Sequence, residues 1–141
     1  MNWEDYVKKG EIRPDSIDKQ RIISLIKMSK NRIEFLSKTK MDSKNASILL
    51  SNYYESLREI CESIINLHRL KIYSHEAISI FLSRQLKDYN ASELFDKYRR
   101  YRNRVNYYGE EIPYEICLQG KEDILSLIEG LKKKYLMDYK D

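Results

Sequence analysis

The run Lys97-Tyr98-Arg99-Arg100-Tyr101-Arg102-Asn103-Arg104-Val105-Asn106-Tyr107-Tyr108-Gly109 decides the reading of this chain. It holds five cations and four tyrosines and ends on a glycine. Leu94, Phe95, Tyr98, Tyr101, Arg102 and Val105 recur at three- and four-residue steps, the spacing of one face of an α-helix. Upstream, Asn90 is a capping residue and Glu93 follows three positions later, which fits a capping box. On this helix Arg102 falls on or beside the apolar stripe, whereas Arg99, Arg100 and Arg104 point outward. Burying a cation is costly unless it is paired. Arg102 is therefore expected either to meet a carboxylate inside a bundle, with Glu55 or Glu59 as candidates, or to line a groove.

Working outward, hydrophobic periodicity predicts further helices. Residues 1–14 form an N-terminal arm in which Trp3 and Tyr6 pack as one helical turn, stopped by Gly10 and Pro14. Trp3 reads as an anchor on the bundle rather than a ligand-stacking residue. A first long helix is expected from about Asp15 to Lys38, with Ile22, Ile26, Ser29, Ile33 and Leu36 on its buried face. A second is expected from about Asn45 to Lys71, along a seam of Ala46, Leu49, Leu50, Tyr53, Leu57, Ile60, Cys61, Ile64, Leu67 and His68. Ser74 caps a third over about 75–86. After the cation-rich helix, Gly109 to Gly120 reads as a turn-rich connection, and a last helix follows from about Lys121 to Met137. No strand, internal repeat or low-complexity segment stands out. The expected fold is a single all-α domain over 1–141, an up-and-down helical bundle of about five helices.

Composition narrows the function classes. The chain has 141 residues, 42% of them hydrophobic and 34% charged, with only 4 Gly and 2 Pro. Two cysteines, Cys61 and Cys117, make neither a disulfide framework nor a zinc pattern. No phosphate-cradling glycine motif, metal cluster or nucleophile elbow is present, so no metal or cofactor is expected. The N-terminus lacks the apolar run of a signal peptide, and no apolar stretch is long enough to cross a membrane. The reading is cytoplasmic with no membrane partner. The closing Asp138-Tyr139-Lys140-Asp141 matches the start of an expression tag, and chance accounts for the match. The net charge of +4 is modest, but five of the 26 basic residues crowd into positions 97–104. Such clustering favours an anionic partner. Of the two histidines, His68 reads as a hydrogen-bonded core residue and His75 as an exposed first-turn residue.

Arg102-Asn103, followed by three residues and then Tyr107, resembles the Arg-polar-x-x-x-His signature of HEPN domains, and the order of helices along the chain is similar as well. The resemblance implies a small helical bundle, a homodimer, and an RNA-acting protein of the metal-independent ribonuclease or toxin type, paired with a nucleotidyltransferase. By that resemblance Arg102, Asn103 and Tyr107 are the catalytic candidates, with Arg102 and Tyr107 of two subunits facing one another across a two-fold axis. Asn103 would orient the phosphate or the Arg102 side chain. The histidine position, however, holds Tyr107, and Gly109 replaces a tyrosine often found beyond it. Arginine suits phosphate because its planar fork binds two oxygens at once. Tyrosine ionises near pH 10, so it is a poor base at neutrality. Arg99, Arg100, Arg104 and Tyr108 are the candidate nucleic-acid contacts, through backbone charge and base stacking. Two functional readings follow. One is an RNA-cleaving protein. The other is a non-catalytic module of the same shape that binds nucleotide, RNA or a partner protein. A helical dimer with a structural role alone is the plainest alternative.

Overall fold

In a computed structural model that describes residues 1–139, the chain is an all-α helical fold. Six helices run in chain order: α1 (Trp3–Lys8), α2 (Lys19–Ser37), α3 (Ala46–Leu67), α4 (His75–Arg84), α5 (Tyr89–Tyr108) and α6 (Tyr114–Tyr135), with a short 3-10 turn at Met137–Tyr139. Lys140 and Asp141, the end of the tag-like match, lie outside the described residues.

Helix α3 is the centre. Its buried residues include Leu50, Tyr53, Tyr54, Leu57, Ile60, Cys61 and Ile64, and they point to more than one side. Helix α2 packs along one flank, and α5 and α6 along others. This wide burial extends the seam read from the sequence, which had omitted Tyr54. The helix carries polar residues into that environment, and all but the Ser56 hydroxyl meet a partner. Ser29 of α2 donates to the carbonyl of Ser56 at 2.9 Å, and Ser63 donates to the carbonyl of Ile60. The Asn66 side-chain oxygen accepts from the Asp18 amide, while its amide group donates to the Ser16 carbonyl. Buried polar groups left without partners cost free energy, so these bonds fix how α2 and the segment before it lie on α3.

Two expectations about elements need correction. The chain contains a two-stranded antiparallel sheet, β1 (Ile12–Pro14) with β2 (Leu70–Ile72), in the register Ile12↔Ile72 and Arg13↔Lys71. Three-residue strands are too short to show alternation, which is why periodicity misses them. Arg69, in the left-handed region at φ 61°, turns the chain from α3 into β2. The N-terminal arm thus becomes α1 plus β1. The Tyr6 hydroxyl donates to Glu76 at 2.6 Å, and Arg84 lies over the Trp3 ring and pairs with Glu4, so the arm is tied to α4.

The second correction concerns α6, which begins at Tyr114 rather than near Lys121. Pro113 precedes it as the residue before the first turn, a position that proline tolerates because no amide is needed there. Gly120 is therefore inside the helix, where α6 packs tightly against Leu50 of α3 and Tyr98 of α5. A Cβ at Gly120 would sit 2.6 Å from Leu50 Cδ1 and 2.7 Å from Tyr98 Cε1. The Tyr98 hydroxyl also donates to Asp123, joining α5 to α6. At Gly130, by contrast, a Cβ would meet nothing within 4 Å.

Gly120→Ala is expected to destabilise the protein by about 1–3 kcal/mol through overpacking. Gly130→Ala is expected to be neutral or to stabilise by up to about 1 kcal/mol, because alanine favours an open helical position. Urea denaturation of the two variants beside the parent chain checks both.

Candidate functional site

Helix α5 brings the cation-rich run to the surface of α3. Its cap is Asp88, whose side chain accepts from the Ala91 amide, rather than Asn90, so the helix starts two residues earlier than the capping-box reading places it. Its end is Gly109, in the left-handed conformation at φ 63° that a glycine adopts without strain. Phe95 and Tyr98 are buried, Tyr101 and Val105 pack partly against the core, and Arg102 lies on the same face, as the spacing predicts.

Arg102 exposes 12% of its side-chain surface. Its Nη2 stands 3.6 Å from Glu55 Oε1, and its Nη1 donates to Asn103 Oδ1 at 2.8 Å. Its Nε is buried and has no hydrogen-bond partner. The guanidinium lies over two tyrosine rings, 5.3 Å from the centroid of buried Tyr54 and 5.7 Å from that of Tyr107. Glu59, the other expected carboxylate, is taken by Arg32 of α2 through two bonds of 3.0 and 3.3 Å. Glu55 is shared, since it also pairs with Arg58 at 2.9 Å. Burial works to raise the Glu55 pKa, but the Arg58 bond and the charges of Arg58 and Arg102 carry it below the usual carboxylate value.

The remaining candidates divide by exposure. Arg99 does not point outward as expected: only 14% of its side chain is exposed, and it pairs with Asp96. Arg100 also pairs with Asp96 but is largely open, and Arg104 pairs with Glu110. Lys97, Arg100, Tyr101 and Arg104 line a surface groove of about 500 Å³ along α5, with Glu93 and Asp96 at its acidic end. Tyr107 is 69% exposed and Tyr108 also stands open at the helix end. The structure therefore brings Arg102, Asn103 and Tyr107 together, places Arg100 and Arg104 on the adjoining outer face, and holds Arg99 in an internal ion pair.

The sequence reading misses two residues that adjoin Arg102. His75, at the first position of α4, is half-buried rather than exposed, and its Nδ1 lies 2.9 Å from the Tyr54 hydroxyl. Burial, followed by the charges of Arg102 and Arg58, pushes the His75 pKa below the ordinary imidazole value, against an opposing pull from Glu55 and Glu62. Burial raises the Tyr54 pKa well above the ordinary phenol value. Tyr54 and His75 are 21 positions apart, and no spacing rule links residues that meet only through packing of α3 on α4. His68, expected in the core, instead sits exposed at the end of α3, bonded to the Ile64 carbonyl and edge-on to Phe81.

No family model matches this chain, and no curated protein or solved structure matches it.

Among the described residues no group of three or more His, Cys, Asp or Glu is placed to hold a metal ion. No helix there is long and apolar enough to cross a membrane.

Arg32 and Arg102 give a direct contrast. Arg32→Met leaves Glu59, whose side chain is 5% exposed, without its partner, and is expected to cost about 3–5 kcal/mol. Arg102→Met removes a cation with a long ion pair and an orphaned Nε while Glu55 keeps Arg58, so a change under about 1 kcal/mol is expected. Denaturant midpoints measure both, and a large loss on Arg102→Met would mark that arginine as structural.

Proposed function

We propose that this chain is a HEPN-like module that acts on RNA, holding the phosphate backbone along α5 with Arg102 as the central contact. The observation that carries this reading is the incomplete pairing of Arg102. An arginine that serves only to close a core is expected to look like Arg32, with both its Nε and a terminal nitrogen on one carboxylate. Arg102 keeps a buried Nε–H with no partner and a loose contact to a carboxylate that another arginine already holds. The guanidinium fork suits a phosphate geometrically, and 12% of the Arg102 side chain reaches the surface. Asn103 steadies the guanidinium from the next position. Arg100 and Arg104 add backbone charge on the outer face, and the open rings of Tyr107 and Tyr108 suit stacking on unpaired bases.

Within this reading, binding without cleavage is favoured over a ribonuclease built on the motif alone, because Tyr107 supplies no base near neutral pH. A homodimer that sets two α5 helices side by side, and a nucleotidyltransferase partner that restrains a toxin-like activity, belong to the same proposal. The Arg102–Glu55 contact also fits a plain structural ion pair, and the Arg32 and Arg102 variants separate the two.

Fluorescence anisotropy of a labelled single-stranded RNA, titrated with the full chain at several salt concentrations, tests the reading. Affinity is expected to fall with salt, and Arg100→Ala and Arg104→Ala are each expected to flatten the log–log slope by about 0.7. Loss of a charge-assisted hydrogen bond at Arg102→Ala is expected to weaken binding by about 10-fold or more. Absence of binding at low salt, or indifference to Arg102→Ala, would overturn it.

A further inference from the structure

The surface groove along α5 is ordered by charge. Glu93 stands at one end and Arg100 and Arg104 at the other, with Lys97 and Tyr101 between them. Helical spacing places these residues on one outward stripe, and about 16 Å of helix separates Glu93 from Arg104. At about 500 Å³ the groove has the volume of a small-ligand site, enough for one nucleotide. The Arg104 guanidinium lies over the Tyr101 ring, 5.4 Å from its centroid, so cation and aromatic form one continuous wall. The second carboxylate of the groove, Asp96, is occupied. Arg99 holds one of its oxygens and Arg100 pairs with the other. Glu93 is different. It is exposed, and among the described residues its side chain has neither a hydrogen bond nor an ion pair. Beside a phosphate chain such a carboxylate is repelled, unless what faces it is the N–H edge of a base.

We propose that this groove takes one guanine nucleotide of a single-stranded RNA, with its phosphate at Arg100 and Arg104 and its base edge on Glu93. The proposal rests on the RNA reading above and adds to it a base preference and the residue that sets it. Guanine carries a ring N–H and an amino group side by side, and these match the two oxygens of one carboxylate. Adenine and cytosine each set their amino group beside a ring-nitrogen acceptor, which repels the second oxygen. Uracil places its single N–H between two carbonyls, which repel both. A carboxylate is an acceptor only, so Glu93 favours guanine and disfavours the rest. The planes of Tyr101 and Arg104 give the nucleotide a surface to lie against. Arg100 and Arg104 already pair with Asp96 and Glu110, but both arginines are open to solvent, where such pairs contribute little and a phosphate competes with them. Lys97 has no carboxylate in ion-pair reach among the described residues and adds its charge to the same end.

The test is fluorescence anisotropy of the full chain with labelled oligouridines that carry guanine, inosine, adenine, cytosine or uridine at one central position. The guanine oligomer is expected to bind about 10-fold or more tighter than the all-uridine one. Inosine, which keeps the ring N–H and lacks the amino group, is expected to fall between them. Glu93 is exposed on the helix surface, so Glu93→Ala is compatible with the fold. This variant is expected to bring the guanine oligomer to the level of all-uridine while the all-uridine affinity holds or rises. If the oligomers bind alike, if another base is preferred, or if the guanine preference survives Glu93→Ala, the base site is overturned and the RNA reading stands. If none of them binds at low salt, both fall.

Discussion

A 22-residue helix enclosed on several sides has to satisfy its polar side chains within the protein, and the rest of this structure follows from how α3 does so. Glu59, Ser56, Ser63 and Asn66 are all buried in it. Glu59 requires Arg32, which sets the rotation of α2. Asn66 requires the backbone of residues 16 and 18, which sets the entry into α2. Apolar burial supplies most of the favourable free energy, as in other domains of this size, but it is indifferent to direction. The polar bonds select one arrangement among those that bury similar area, because each wrong one leaves a group unpaired.

The candidate site adjoins α3 where pairing is incomplete, as it also is at the buried Ser56 hydroxyl. Glu55 serves two arginines, and the second, Arg102, is left with a buried donor unmet. Native proteins keep few such groups. The neighbouring chemistry is consistent with the proposed phosphate contact. Asn103 restrains the guanidinium, burial and Arg102 push the His75 pKa down, and the outer face of α5 carries cations that reach solvent. The motif helix thus has an inner arginine that is positioned and outer arginines that attract.

The long helices were legible in the sequence because each repeats its apolar residues at three- and four-residue steps over many turns. Ile22, Ile26, Ser29 and Leu36 of α2 are buried as that spacing requires. What escaped was local or tertiary. Gly120 read as a break because glycine is a poor helix former, yet its reason is the approach of Leu50 and Tyr98, visible only after packing. Strands of three residues carry no period. Arg99 looked exposed by its angle on the helix, but Asp96 one turn earlier draws it inward. Of the candidate site, the motif residues could be named and placed on one helix. Tyr54 and His75 could not, because a hydrogen bond between α3 and α4 leaves no mark on either segment alone.

The most direct test of a phosphate-binding Arg102 is the signal of its own Nε–Hε group. In an NMR titration of the full chain with single-stranded RNA, this resonance is predicted to shift strongly, together with the amides at the C-terminal half of α5. RNA binding that leaves the Arg102 Nε–Hε resonance unmoved while perturbing other surfaces would contradict the account.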